Sequence, residues 1–260
     1  MTQLNEREIK EVVKERYGNL ARDASTAQPA DCCGTDCCGP EAVDPDAILT
    51  LYNNTETEGL PIEAIAASAG CGNPTALASL KSGETVVDFG SGGGIDCFIA
   101  AREVGESGRV IGIDMTQDMV NLANSNAKKL GLSNAEFHLA EIDDTKLEDG
   151  TADIIISNCV INLAPDKDSV FQEAFRILKP GGRMMISDMV LIDEIPNEEK
   201  EDTANWVACL AGAEMKDIYL GRMKSAGFEE IQVASETKLA NDEGWRAGVR
   251  SMNIQASKPS

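Results

Sequence analysis

Val86-Val87-Asp88-Phe89-Gly90-Ser91-Gly92-Gly93-Gly94-Ile95-Asp96 is the stretch whose reading decides the fold of this chain. Val86 to Phe89 is an apolar run rich in β-formers, and four glycines then fall within five positions, so it reads as strand, tight turn and helix start. A turn bare of side chains lets its backbone approach a ligand, which marks a nucleotide-type pocket. The glycines run G-x-G-x-G behind an acidic residue, Ile95 stands where a dinucleotide fingerprint has its third glycine, and no Gly-Lys-Ser/Thr follows to form a P-loop. The pattern therefore favours a single nucleoside. Gly90, Ser91, Gly92 and Gly94 are the candidate cradle. Asp88 either meets the ligand's amino group indirectly or caps the following turn, and both readings stand.

Outward from this turn, strand and helix alternate. Strands are expected at Arg109–Ile113, Ala135–Leu139, Asp153–Ser157 and Arg183–Ser187. Helices fit between them at Ile95–Val104, Gln117–Leu130 and Ser169–Leu178. Thr116 is the N-cap of the second, Gly131 follows its end, and Lys179-Pro180-Gly181-Gly182 stops the third. Alternation of this kind predicts an α/β fold, a parallel sheet with helices on both faces. Glu198 to Ala226 reads as two helices broken near Gly212, and strands at Glu230–Ala234 and Ser251–Ala256 complete the sheet. Ahead of the turn, residues 5–21 carry an apolar stripe of Ile9, Val12, Val13, Tyr17 and Leu20, Ala24 to Pro45 reads as a loop, and Cys71 falls in an irregular turn. Three regions follow: 1–46, an N-terminal helix and Cys-rich loop; 47–188, the nucleoside-binding α/β domain; and 189–260, a helical insertion and final strands.

Asp114 ends the second strand twenty residues after Gly94, where a carboxylate can accept hydrogen bonds from both ribose hydroxyls. Met115 beside it and Asn158 at the end of the fourth strand join the same candidate set. Glu141, Ile142 and Asp143 follow the third strand at the edge where ligands sit, and can flank a base or stand as solvated loop carboxylates.

The 260 residues suffice for one main domain with appendages. A formal charge of −21, from 44 acidic and 23 basic residues, argues against nucleic acid or an anionic membrane as partner. No run approaches the roughly 18 apolar residues of a membrane span, and the first residues are charged and amphipathic, so a soluble cytoplasmic protein is expected. Eight cysteines are then expected as reduced thiols. Two adjacent pairs, Cys32/Cys33 and Cys37/Cys38, lie in the loop. Cys71 precedes the first strand, Cys159 ends the fourth on the edge where the glycine turn opens, and Cys209 lies in the helical insertion, so the topology can gather these three. Cys97, among Phe98, Ile99 and Ala100, reads as a small buried hydrophobe. No zinc knuckle spacing joins Cys71, Cys159 and Cys209. His138, the single histidine, falls mid-strand in a structural role, so general-base chemistry is thinly supplied. A soft nucleophile needs no base, which points to a thiophilic substrate.

Gly70-Cys71-Gly72-Asn73-Pro74, the turn Asp88 to Asp96, Ser157-Asn158-Cys159-Val160-Ile161-Asn162-Leu163 and Ala208-Cys209-Leu210-Ala211-Gly212-Ala213, in this order, resemble the arsenite S-adenosylmethionine methyltransferases. The likeness runs from the Tyr17-Gly18 helix to about Ile231. It implies a Rossmann-like class I methyltransferase fold, seven strands with the last reversed, and S-adenosylmethionine in the glycine pocket. It further implies that Cys71, Cys159 and Cys209 hold trivalent arsenic as thiolates, with arsenite or methylarsenite, free or as thiol conjugates, as substrate. An external dithiol reductant such as thioredoxin then resets a disulfide, and an N-terminal cysteine, Cys32 or Cys33, takes part. Ala208 departs from the family's usual glycine. A methyltransferase for a carbon or oxygen nucleophile, a soft-metal-sequestering protein and an NAD-dependent oxidoreductase are the competing readings.

Overall fold

The computed structural model describes residues 5–26, 51–52, 54–200, 203–207, 209–239 and 243–260. Cys32, Cys33, Cys37 and Cys38 lie outside the described residues, as does Ala208.

Helix α1 (Glu6–Ser25) starts at Asn5, whose side chain accepts from the Glu8 N–H while Glu8 reaches back to the Asn5 N–H, a reciprocal capping box. It buries Ile9, Val13, Gly18, Ala21 and Ala24; of the expected stripe Ile9 and Val13 are buried, while Val12, Tyr17 and Leu20 are half-buried, and the helix runs four residues beyond the expected end. Three short helices follow: α2 (Asn54–Thr57), α3 (Ile62–Ala66) and α4 (Pro74–Leu77), with Cys71 in the turn before α4.

The alternating segment begins with β1 (Thr85–Phe89), α5 (Ile95–Val104), β2 (Arg109–Asp114), α6 (Gln117–Leu130) and β3 (Ala135–Leu139). Gly131 closes α6 in the left-handed conformation, φ 67°. Thr116 holds the N-cap position without a side-chain capping bond; its own N–H instead donates to Asp114 Oδ1 at 2.8 Å. Then come β4 (Ala152–Asn158), a 3₁₀ turn (Ile161–Leu163), α7 (Lys167–Ile177) and β5 (Leu178–Leu191). Lys179-Pro180-Gly181-Gly182 ends the helix as expected, and it also opens β5, with Gly181 at φ 73°.

The sheet order is β3-β2-β1-β4-β5-β7-β6, with β6 at Glu229–Lys238 and β7 at Val249–Ser257. β1 to β5 are parallel, and β7 runs antiparallel to both β5 and β6. The seven-stranded sheet with one reversed strand is thus present. The expected pair of helices after residue 198 is instead α8 (Asn197–Lys200), α9 (Thr203–Val207) and, past Gly212, α10 (Lys216–Ser225). One apolar layer packs α5 and α6 on one face through Phe98, Ile99, Val104 and Ala123. The other packs α7 and α10 through Val170, Phe171, Tyr219 and Met223.

Chain direction across the sheet reverses between β1 and β4, which are neighbours although β2 and β3 intervene in sequence. Their carboxyl ends, Phe89 and Ser157, are paired in register, so the glycine turn and Asn158-Cys159 leave the sheet side by side. That switch point is where an open α/β sheet presents its ligand crevice.

Candidate active site

A cleft of ≈ 940 Å³ opens at this point. Gly90, Ser91, Gly92, Asp114, Met115, Glu141, Ile142 and Asn158 all line it, as does Gly93. Gly90, Gly92 and Gly94 have φ of 76°, 51° and 97°, backbone that only glycine adopts without strain. Asp114 braces the turn: its Oδ2 accepts the Gly92 N–H at 3.0 Å and its Oδ1 the Thr116 N–H. The Thr116 side chain donates to this carboxylate as well, so the turn and the start of α6 together fix it at the end of β2. Bare glycine backbone facing a buried carboxylate at the end of β2 fits a nucleoside donor.

Asp88 is a correction. It does not line the cleft; it is buried beneath the turn, and its Oδ2 accepts from Cys97 Sγ at 3.2 Å. Burial, reinforced by nearby Asp96, pushes its carboxyl well above the usual range. Cys97 is buried as expected, yet it acts as a hydrogen-bond donor and not only as a hydrophobe. Of the two carboxylates flanking the glycine turn, Asp96 lines the cleft, with burial raising its pKa to about 6. Glu141 accepts from Lys10 and, at 3.1 Å, from Lys14, while Asp143 accepts from Lys10 at 3.0 Å. Both lysines belong to α1, which also lends Val13 and Tyr17 to the wall. That contribution was not foreseen, because an amphipathic stripe reveals a buried face but not the surface it meets.

Beside the cleft, which Cys159 alone of the three lines, the structure gathers the three separated cysteines. Cys71 and Cys159 are joined as a disulfide, their Cα atoms 5.8 Å apart, and Cys209 Sγ donates to the Cys159 carbonyl at 2.8 Å. Leu163, Ile9 and Val13 pack around them, with Tyr17 and Trp206 on the margin. Cys159 and Cys209 both hold positive φ, 60° and 61°, a conformation that costs a non-glycine residue about 1 kcal/mol or more. Their surroundings enforce it. The Cys159 N–H donates to Ser187 O at 2.7 Å and the Cys209 N–H to Trp206 O at 3.0 Å. Burial raises the Cys209 thiol well above its ordinary value and Asp188 adds to this, against a hydrogen bond from Tyr17 and the charge of Lys167. His138 lies on β3 beside Glu136 and does not line the cleft. Among the described residues no three His, Cys, Asp or Glu side chains are arranged to hold a metal ion.

Gly212 sets the third thiol's loop. A Cβ there would fall on the carbonyl of Asn162, whose own Nδ2 donates to Met189 O at 2.6 Å and to Cys209 O at 3.5 Å. Gly212→Ala is expected to displace this loop and lower the affinity of the cysteine cluster for a thiophilic ligand about tenfold or more, with the affinity of the glycine turn for a nucleoside kept. Calorimetric titration of each ligand checks the split.

Beneath the loop, Asp188 is fully buried, accepting from Tyr219 Oη at 3.0 Å and from the Met189 N–H at 2.9 Å. Burial raises its pKa to about 7 against those bonds and Lys167. A folded-state pKa above the unfolded value stabilises fully at low pH and is lost as pH rises through about 4 to 7. Asp188→Asn is expected to flatten the fall in unfolding free energy over that window, by up to about 1.4 kcal/mol per pH unit. An unchanged slope by chemical denaturation would contradict this assignment.

No helix among the described residues is long and apolar enough to cross a membrane. A family model described as a methyltransferase domain matches residues 80–227. The arsenite methyltransferase of Halobacterium salinarum is 38% identical, the alignment covering 97% of this chain and 67% of that protein. That of Aquipseudomonas alcaligenes is 36% identical, covering 88% of this chain and 65% of the relative. The crystal structure of CrArsM, an arsenic(III) S-adenosylmethionine methyltransferase from Chlamydomonas reinhardtii, superposes with a TM-score of 0.65 at 32% identity, over 83% of this chain and 73% of that one. The chain thus spans about two thirds of the length of the two curated relatives. Shared sequence over nearly its whole length, with the sheet order and cleft described above, places this chain in the arsenite methyltransferase family.

Proposed function

We propose that this protein transfers the methyl group of S-adenosylmethionine to trivalent arsenic held by Cys71, Cys159 and Cys209. The observation that carries the reading is the convergence of these three cysteines, from 88 and 50 residues apart in sequence, beside the glycine-turn cleft, whose wall Cys159 joins. The donor supplies an electrophilic methyl on a sulfonium, and the turn Gly90 to Gly94 with Asp114 holds its nucleoside. Each thiol displaces one hydroxyl from arsenite, its proton leaving with that hydroxyl as water, so a protonated buried Cys209 needs no dedicated base. The apolar wall of Ile9, Val13 and Leu163 keeps water from the bound metalloid and aims its lone pair at the donor, so positioning supplies most of the rate.

Methyl transfer breaks the sulfonium C–S bond, forms an As–C bond and formally oxidises arsenic by two electrons. Two electrons from Cys71 and Cys159 return it to the trivalent state as their sulfurs join, and the bond between these two residues supports this step. An external dithiol of the thioredoxin kind then reduces the pair. Arsenite and methylarsenite, free or as thiol conjugates, are the substrates of this reading, Cys32 or Cys33 is assigned to the relay toward the reductant, and the cytoplasm is the proposed location. Incubation of the reduced protein with arsenite, S-adenosylmethionine and a dithiol should yield methylated arsenic separable by chromatography. Intact donor binding with no methylarsenic would refute the function.

A further inference from the structure

Asn158 lines the cleft, and by position alone it passes for a donor contact. Its hydrogen bonds say otherwise. Oδ1 accepts from the Cys71 N–H at 3.0 Å and the Gly72 N–H at 3.3 Å. Nδ2 donates to Gly72 O at 2.8 Å, Asp96 Oδ2 at 3.1 Å and Tyr52 Oη at 3.2 Å. An amide has two lone pairs and two hydrogens, and all are engaged within the protein. Nothing remains for a ligand.

What the amide grips is the turn that bears the first thiol. A Cβ on Gly70 would lie 2.7 Å from Asn158 Cγ, and one on Gly72 would lie 2.7 Å from Ser187 Oγ, so the turn rests directly on both side chains. The opposite end of the Cys71 peptide is tied as well, since its carbonyl accepts from Ser251 Oγ of β7 at 2.9 Å. Cys71 is thereby held at N–H and C=O by two separate strands. The far side of Asn158 rests on Asp96, whose Oδ1 accepts from Tyr52 Oη at 3.1 Å.

We infer that Asn158, assisted by Ser251, is a positioning residue for the Cys71 thiol and not a donor ligand: it fixes the Cys71 turn against the ends of β4 and β7. This rests on the arsenic reading above, in which a metalloid shared with Cys159 and Cys209 requires Cys71 to be placed closely. The clamp persists whether or not Cys71 is bonded to Cys159, since it acts on backbone groups.

Two measurements on the reduced full chain test it. Hydrogen exchange of the peptide spanning residues 68–73 should rise about tenfold or more in Asn158→Ala, and less in Ser251→Ala. Asn158→Asp keeps the acceptor oxygen but sets a carboxylate against Asp96 Oδ2 and the Gly72 carbonyl in place of the Nδ2 donor, so it should not recover the protection. In steady state, Asn158→Ala and Ser251→Ala should each raise KM for arsenite about tenfold and leave KM for S-adenosylmethionine within about threefold. Unchanged exchange, or a loss confined to the donor, would overturn the inference. Protected exchange in a wild-type protein that neither binds nor methylates arsenite would instead sink the proposed function and leave the clamp standing. Should Asn158→Ala fail to fold, Ser251→Ala carries the same comparison from the other strand.

Discussion

Replacing Cys159 with serine is expected to abolish arsenic methylation, lowering kcat/KM by at least about three orders of magnitude while S-adenosylmethionine still binds. The cysteine stands at the carboxyl end of β4, paired by its N–H to Ser187 and directly beside the glycine turn. Serine fits the space and accepts the same backbone strain, but its hard oxygen is a poor ligand for a soft metalloid. Only the arsenic-bearing atom is lost. Cys71→Ser and Cys209→Ser should behave alike, because a metalloid held by two thiols keeps a water or hydroxide in the third place. Methylation of a different nucleophile would survive all three changes. Activity assays paired with donor calorimetry check the split between the sites.

Gly90→Ala should have the opposite profile, with donor affinity lost about a hundredfold or more and reduced arsenite still taken up. Two costs coincide at this position. The backbone sits at φ 76°, and a Cβ would lie 2.5 Å from Val160 Cγ2. Val160 follows Cys159, so it cannot retreat without moving the thiol loop. The turn must then open, which pulls the Gly92 N–H off Asp114 and breaks the nucleoside cradle. Calorimetry with S-adenosylmethionine measures the loss, and affinity near wild type would show the turn to be merely structural.

The central α/β frame was legible because its signals are local. Val86 to Phe89 carries β-formers, Gly90 to Gly94 compels a turn, and Gly131 stops α6 by its own left-handed backbone, so several boundaries follow within a residue or two. Lys179-Pro180-Gly181-Gly182 was read only as a helix stop, since the residues it meets, Asp153 of β4 and Lys258 just past β7, are distant in sequence. The site was legible in part. Cys159 at a strand end was placed by the sheet rule, the topology offered Cys71 and Cys209 as its neighbours, and their role as a set came from the family resemblance.

Asp88, left open between an indirect ligand contact and a turn cap, lies beneath the turn and does not line the cleft. Strand alternation and the packing of Cys97 turn it beneath the loop, and no local motif encodes that choice. Asp96 was passed over although it stands within the opening stretch, because its role comes from Tyr52 and Asn158, 44 and 62 residues away. The contributions of Lys10 and Tyr17 were hidden for the same reason, since α1 docks through contacts more than a hundred residues distant.

The central claim is that one trivalent arsenic is shared by Cys71, Cys159 and Cys209. X-ray absorption of the reduced protein loaded with one equivalent of arsenite tests it directly. The account predicts three sulfur neighbours and no oxygen, reverting to two sulfurs and one oxygen in Cys209→Ser. Two sulfurs with an oxygen in the unaltered protein would contradict it.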